Sequence, residues 1–116
     1  MEQNLIKSEI DSRIFTIRGM QVIIDRDLAD FFQTSTKRLN EQVKRNAVRF
    51  PDSYYFKLVK NEKDELVAIC DRLKSLKHSS SSPFVFTEYG IAMVATILKT
   101  DIAANMSIHI IIRIRA

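Results

Sequence analysis

The sequence is poor in cysteine and has no long hydrophobic run. Its one cysteine, Cys70, excludes a disulfide within a single chain. No apolar run approaches the roughly 18 residues that a membrane-spanning helix requires. The first ten residues, MEQNLIKSEI, lack the basic and then apolar pattern of a secretory signal peptide. We therefore expect a cytoplasmic protein that does not enter a membrane.

The residues that build catalytic, metal and cofactor sites are also scarce. The sequence has no glycine-rich phosphate loop, no cofactor fingerprint and no nucleophile beside a base. Its histidines, His78 and His109, are far apart and lack cysteine or carboxylate neighbours at ligand spacing. We expect no enzyme activity, no metal and no cofactor.

The length and composition predict a single domain. With 46% hydrophobic and 28% charged residues, the chain has the composition of a globular protein, and 116 residues can bury one core. We expect residues 1–116 to form one DNA-binding domain, with a core over about 12–100 and a C-terminal tail over 101–116. We also expect it to be the N-terminal part of a longer protein.

Hydrophobic periodicity predicts an α+β fold with a small sheet, a winged-helix-like arrangement and a helical C-terminal half. A hairpin is indicated over 12–25, around Arg18-Gly19, and further strands over 54–59 and 84–86. Helices are predicted over 27–32, 36–46, 61–76 and 88–98. The expected helix caps are Asp25 or Asp27, Asn61 and Thr87.

The tail is ambiguous. Residues 101–106 have a helical pattern, but residues 107–115 fit a helix or a strand, since isoleucines alternate with polar residues in a pattern that only Ile111 interrupts. Exposed isoleucines are a liability for a monomer, and one small DNA-binding module buries little area. We expect the tail to form a homodimer contact.

Two consecutive helices have the apolar pattern of a helix-turn-helix. The residues expected to point inward are Leu28, Ala29, Phe32, Leu39, Val43, Ala47 and Phe50. Gln33 occupies the turn position where glycine is usual, which indicates a longer or differently shaped turn. Two amphipathic helices joined by a short turn also occur as a purely structural pair.

The outer face of the second helix is rich in basic and amide side chains. Between Thr34 and Phe50 five basic residues oppose the single acid Glu41, and the rest of the chain holds 13 basic and 13 acidic residues, so this segment carries the whole net charge of +4. Such groups bind phosphates and read base edges, although a solvated helix face is the alternative. The helix N-terminus at Ser35 and Thr36 offers backbone donors to a phosphate. The expected base contacts are Lys37, Arg38, Asn40, Glu41 and Gln42, and the expected phosphate contacts are Lys44, Arg45 and Arg49.

Four blocks of sequence also resemble a known family. They are RDLA at 26–29, TKRLNEQVKRN at 36–46, RFP at 49–51 and FTEYGIAM at 86–93. In this order they resemble the phage antirepressor-type DNA-binding domains of the KilA-N and Bro-N group, in the branch called the ORF-six N-terminal domain. The resemblance covers roughly residues 14–100 and implies a small α+β domain of phage, prophage or bacterial origin.

Two hypotheses follow. The first is sequence-specific binding of double-stranded DNA by the helix-turn-helix, as a phage-type or prophage-type transcriptional regulator or antirepressor. The alternative is a protein-interaction module that titrates a repressor, in which the tail rather than the 36–46 helix carries the activity.

Overall fold

The structure, a computed structural model, describes residues 2–116, with side chains from Ile6 onward. The helices are α1 (Glu2–Ser12), α2 (Asp25–Phe31), α3 (Thr36–Arg45), α4 (Lys60–Ile69), α5 (Glu88–Leu98) and α6 (Asp101–Arg115). The strands are β1 (Phe15–Ile17), β2 (Met20–Ile24), β3 (Tyr55–Lys57) and β4 (Phe84–Phe86), and 3₁₀ helices cover Ala47–Arg49 and Asp71–His78. The predicted α+β class is confirmed, and the winged-helix-like arrangement stays a prediction.

The N-terminal hairpin forms as predicted. Strands β1 and β2 are antiparallel and joined by Arg18 and Gly19, whose φ angles are 55° and 74°. Positive φ at both central residues gives a two-residue turn whose twist matches that of the strands. Gly19 adopts this conformation at little cost. Arg18 is held by Glu62, which accepts its Nε–H at 2.8 Å, and it lies 4.1 Å from the centre of the Phe56 ring.

Both faces of the sheet are buried under helices. The strand order is β1-β2-β4-β3, with all pairs antiparallel. Because side chains alternate along a strand, Ile23 and Phe86 face one core cluster and Val22, Ile24 and Val85 face another. Helices α1, α2, α3, α5 and α6 contribute to the first cluster, whereas α4 and the 3₁₀ helix Asp71–His78 contribute to the second. The sheet is therefore the middle layer.

The prediction of one helix over 61–76 was wrong. Helix α4 ends at Ile69, and Cys70 is extended with φ −132° and ψ 108°, a conformation that cannot continue the helical hydrogen bonds. The chain resumes as a 3₁₀ helix that directs Leu73 and Leu76 into the second cluster. At the other end, Asn61 is not the cap. The N-cap is Val59, whose N–H donates to Glu62 Oε1 at 2.9 Å, so the helix begins earlier.

The capping prediction for α2 was also wrong, whereas Thr87 is the N-cap of α5 as predicted. The N-cap of α2 is Ile24, so Asp25 and Asp27 lie inside its first turn, where carboxylates complement the helix dipole. Thr87 is the N-cap residue of α5, but its hydroxyl does not cap the helix. It donates instead to the Ser53 carbonyl at 2.7 Å, which joins α5 to the loop before β3.

The tail is a helix, and it packs against a helix that the sequence analysis missed. Thr100 caps α6 by accepting from the Ala103 N–H at 3.1 Å. Ile110 of α6 and Ile10 of α1 belong to the same buried cluster. Arg113 donates two hydrogen bonds to Asp11, at 2.9 and 2.8 Å, and these lower the pKa of the Asp11 carboxyl from its ordinary value. No helix within residues 2–116 is both long and apolar enough to cross a membrane.

Gly90 lets α5 approach the loop before β3. The Tyr54 carbonyl accepts the Thr87 N–H at 3.0 Å, directly beneath the first turn of α5. A Cβ at position 90 would overlap this carbonyl oxygen, which is backbone and cannot swing away. The contact therefore admits only glycine.

We predict that Gly90→Ala lowers the free energy of unfolding by about 1–3 kcal/mol, the usual cost of overpacking. Helix propensity alone predicts a gain of up to about 1 kcal/mol from the same change. Urea denaturation decides the sign. Ala92→Gly, at an exposed position of the same helix, is the control and should show only the propensity loss. A stabilised Gly90→Ala variant would contradict the close approach.

Candidate nucleic-acid interface

The turn between α2 and α3 closes without a glycine. Gln33 has a φ of 54°, the left-handed conformation that glycine usually supplies. The turn is held by the Phe32 N–H, which donates to the Leu28 carbonyl at 2.9 Å, and by the Thr34 N–H, which donates to the Ala29 carbonyl at 2.9 Å. The turn is therefore compact although Gln33 replaces the usual glycine. It covers four residues, Phe32 to Ser35.

Ser35 begins α3. Its hydroxyl accepts the Arg38 N–H at 3.0 Å and satisfies one of the free donors in the first turn. The helix ends at Arg45, and Asn46 closes it by donating from its side-chain amide to the Gln42 carbonyl at 2.8 Å. Both ends of the helix are therefore fixed by side chains of the segment itself.

The inner faces of α2 and α3 pack largely as predicted. Leu28, Ala29, Phe32, Leu39, Val43 and Phe50 are all buried in the first core cluster. Ala47 is an exception, since it is exposed. The α-helix has ended by this residue, and the 3₁₀ helix Ala47–Arg49 has a different angular repeat, so the inward stripe is interrupted before Phe50.

The outer face of α3 carries the predicted basic residues. Five charged side chains of the helix are exposed: Lys37, Arg38, Glu41, Lys44 and Arg45. Arg49 is exposed on the following 3₁₀ helix and Ser35 at the start of α3, whereas Thr36 and Gln42 are half-buried. The structure thus brings eight of the ten predicted site residues to the side of α3 opposite the buried Leu39 and Val43 stripe or to the ends of the helix, and the other two, Asn40 and Gln42, lie at its flanks.

These basic side chains differ from most arginines elsewhere in the protein. Five of the six arginines outside the segment form ion pairs, with Arg26 as the exception: Arg13 with Asp30, Arg18 with Glu62, Arg72 with Asp27, Arg113 with Asp11 and Arg115 with Glu88. Over the part of the chain that has described side chains, Lys37, Arg38, Lys44, Arg45 and Arg49 form none. Glu41 has the helical spacing to pair with Lys37 and Arg45 but does not. The positive charge of this face is therefore not neutralised internally.

Asn40 has a different environment from the one expected. Its side-chain amide donates to Asp25 Oδ2 at 3.0 Å, and the residue is half-buried. The other Asp25 oxygen accepts the Arg26 N–H at 2.7 Å. Asn40 therefore joins α3 to the start of α2, which holds the exposed face in place.

A second polar contact that the sequence did not indicate fixes α2 from the other side. Asp27 is buried and accepts two hydrogen bonds from Arg72, each of 2.8 Å, while Arg13 lies 3.6 Å from the same carboxylate. Arg72 is 45 residues away along the chain, so no local pattern could have found the pair. The sequence alone explains Asp27 only as a candidate helix cap.

Among known protein families, one family model matches most of the chain. The family model described as the ORF6N domain matches residues 12–97. This range contains all four strands together with α2, α3 and α4, and nearly all of α5. The match confirms the resemblance to the phage antirepressor-type group. No curated protein and no solved structure matches the chain.

We predict opposite effects for two substitutions at the turn between α2 and α3. Gln33→Gly should keep or raise the free energy of unfolding, by up to about 1 kcal/mol, because it removes left-handed strain at the cost of chain entropy. Gln33→Val should lower it by about 1–3 kcal/mol, since a β-branched residue fits this conformation poorly. Denaturant melts give both values. Gln21→Val, at an exposed strand position, is the control, and equal losses at positions 21 and 33 would argue against strain at Gln33.

Proposed function

Because the chain belongs to the ORF6N domain family, we propose that it is a phage-type transcriptional regulator or antirepressor that binds double-stranded DNA specifically, with α2 and α3 acting as a helix-turn-helix. The family supports the regulatory class. The observation that carries the DNA-binding step is the set of five cations on and beside α3 that have no carboxylate partner.

The arrangement of α3 suits insertion into a major groove. Two neighbouring stripes of side chains follow the helical spacing along its outer side. The first consists of the exposed Lys37, Glu41 and Lys44. The second consists of Arg38, the half-buried Gln42 and Arg45. In the proposed complex, Lys37 and Arg38 donate to guanine, Glu41 accepts from cytosine and Gln42 pairs with adenine. Lys44, Arg45 and Arg49, at the far end, bind phosphates and set the register.

Asn40 has a supporting role in this proposal. Its amide is bonded to Asp25, which fixes the rotation of α3 relative to α2. A recognition helix gains specificity only when its side chains arrive at the base edges with a fixed geometry, so this bond adds to the buried packing of Leu39 and Val43.

We predict that Arg38→Glu combined with Arg45→Glu weakens binding to random duplex DNA severely at low salt. The slope of log affinity against log salt should fall by at least about 1, because Arg45 is a proposed phosphate contact and each lost phosphate contact removes about 0.9 from the slope. Fluorescence anisotropy across a salt series measures both. The control is Lys7→Glu combined with Lys99→Glu, which makes the same charge change at exposed residues away from α3.

The outcomes separate the two hypotheses. If DNA binding is lost only in the Arg38 and Arg45 variant, and the thermal melt of this variant is unchanged, DNA contact through α3 is supported. Equal loss in both variants would mean that only net charge matters. If the wild-type protein does not bind duplex DNA at low salt, the proposal is wrong, and the module that titrates a repressor becomes the better hypothesis.

We also propose that the protein dimerises through α6. Because the tail is helical, Ile108 and Ile112 lie one turn apart on the same face, and they are 57% and 58% exposed. A second copy that covered this stripe would bury it and would bring a second α3 into the complex, as a small module requires for affinity.

Ile108→Lys combined with Ile112→Lys should convert a dimer into a monomer in sedimentation-velocity experiments at micromolar concentration. Ile102→Lys is the control, since Ile102 is partly exposed elsewhere on the same helix. A monomeric wild-type protein, or a dimer that survives the double change, would refute dimerisation through this face.

A further inference from the structure

A groove of about 440 Å³ separates the N-terminal half of α3 from the serine loop, residues 79–82. Thr36 and Asn40 of α3 line one side, and Ser81 and Ser82 line the other. Arg26 from α2 and Lys57 from β3 also line it. The groove therefore begins at the helix that carries the proposed base contacts and continues away from it.

The groove offers hydrogen-bond donors and little free acceptor capacity. Its one acid, Asp25, is buried, and its oxygens already accept from the Arg26 N–H, the Asn40 amide and, at 3.5 Å, the Phe84 N–H. Among the residues with described side chains, neither Arg26 nor Lys57 pairs with a carboxylate. The hydroxyls of Thr36, Ser81 and Ser82 complete a lining that suits an anion.

Arg26 is available to an anion in the groove. It lies in the first turn of α2 and is half-buried. Its side chain has only a long contact of 3.4 Å to the Ser75 hydroxyl and no carboxylate partner among the described side chains.

We propose that this groove binds the phosphodiester backbone of the same DNA duplex, beside the major groove that receives α3. The inference rests on the proposed function and adds a second site to it. Phosphates border the major groove on both sides, so a duplex in contact with Lys37 and Arg38 has a strand next to Thr36, where the groove opens. Lys57 and Arg26 supply charge, and the serine hydroxyls supply neutral donors, as in many backbone contacts.

The test compares Lys57→Gln with Lys60→Gln. Lys57 is exposed, and its side chain makes no hydrogen bond or ion pair within the described part of the chain, so its replacement should leave folding unchanged. Lys60, at the start of α4, follows shortly after β3 but is paired with Asp64 at 3.1 Å and does not line this groove. We expect Lys57→Gln to weaken binding of random duplex about threefold to tenfold at 50 mM salt and to reduce the salt slope by about 1.

Lys60→Gln should be close to wild type, and Lys57→Arg should retain the wild-type slope. If the Arg38 and Arg45 variant loses binding while Lys57→Gln behaves like Lys60→Gln, the groove inference is overturned and α3 binding stands. If the wild-type protein does not bind duplex, both proposals fail.

A third measurement separates DNA from a free anion. In NMR titrations at constant ionic strength, saturable shifts at Ser81 and Lys57 with millimolar inorganic phosphate but not with a duplex would assign the groove to a small anion and overturn the backbone contact. Shifts at these residues with a duplex only would support it.

Discussion

The carboxylate of Asp25 holds together the elements that meet beside α3. It stands at the junction of β2 and α2, and it accepts from the Arg26 backbone, from Asn40 of α3 and, more weakly, from the backbone of Phe84 at the start of β4. A buried carboxylate costs much free energy unless donors replace its water. Here the donors come from α2, α3 and β4. These three elements must therefore pack together before the buried charge of Asp25 is compensated.

This constraint explains why the exposed face of α3 is well defined. Leu39 and Val43 fix how deeply the helix is buried, but apolar contacts alone permit some rotation about the helix axis. The bond from Asn40 to Asp25 is directional and lies at the flank of the helix. It therefore sets which side chains of α3 point outward. Asn40, which the sequence predicts to contact a base, instead orients the exposed side chains beside it.

The sequence predicted the elements whose signals are local. The Arg18-Gly19 turn, the inward stripe of Leu39 and Val43 and the strand at Phe84–Phe86 could all be read from periodicity and turn chemistry. The sequence did not predict features that depend on contacts with residues distant in the chain. The start of α4 depends on Glu62, which is itself held by Arg18, and the helical state of the tail depends on packing against α1. Isoleucine alternation could not reveal this contact, since it requires knowing that Ile10 lies beside the tail.

The candidate site shows the same division. The sequence of α3 itself determines which of its basic residues point outward. The charged side chains that were predicted to be exposed on this helix are exposed in the structure. Which cations are neutralised is a property of the whole fold, because Arg13, Arg72 and Arg113 find their acids only after distant elements pack. Once those pairs are formed, five cations on and beside α3 still lack a carboxylate partner among the described side chains, and they lie along one short segment. The fold thus exposes the segment that carries the whole net charge of +4, and this is the face to which we propose that DNA binds.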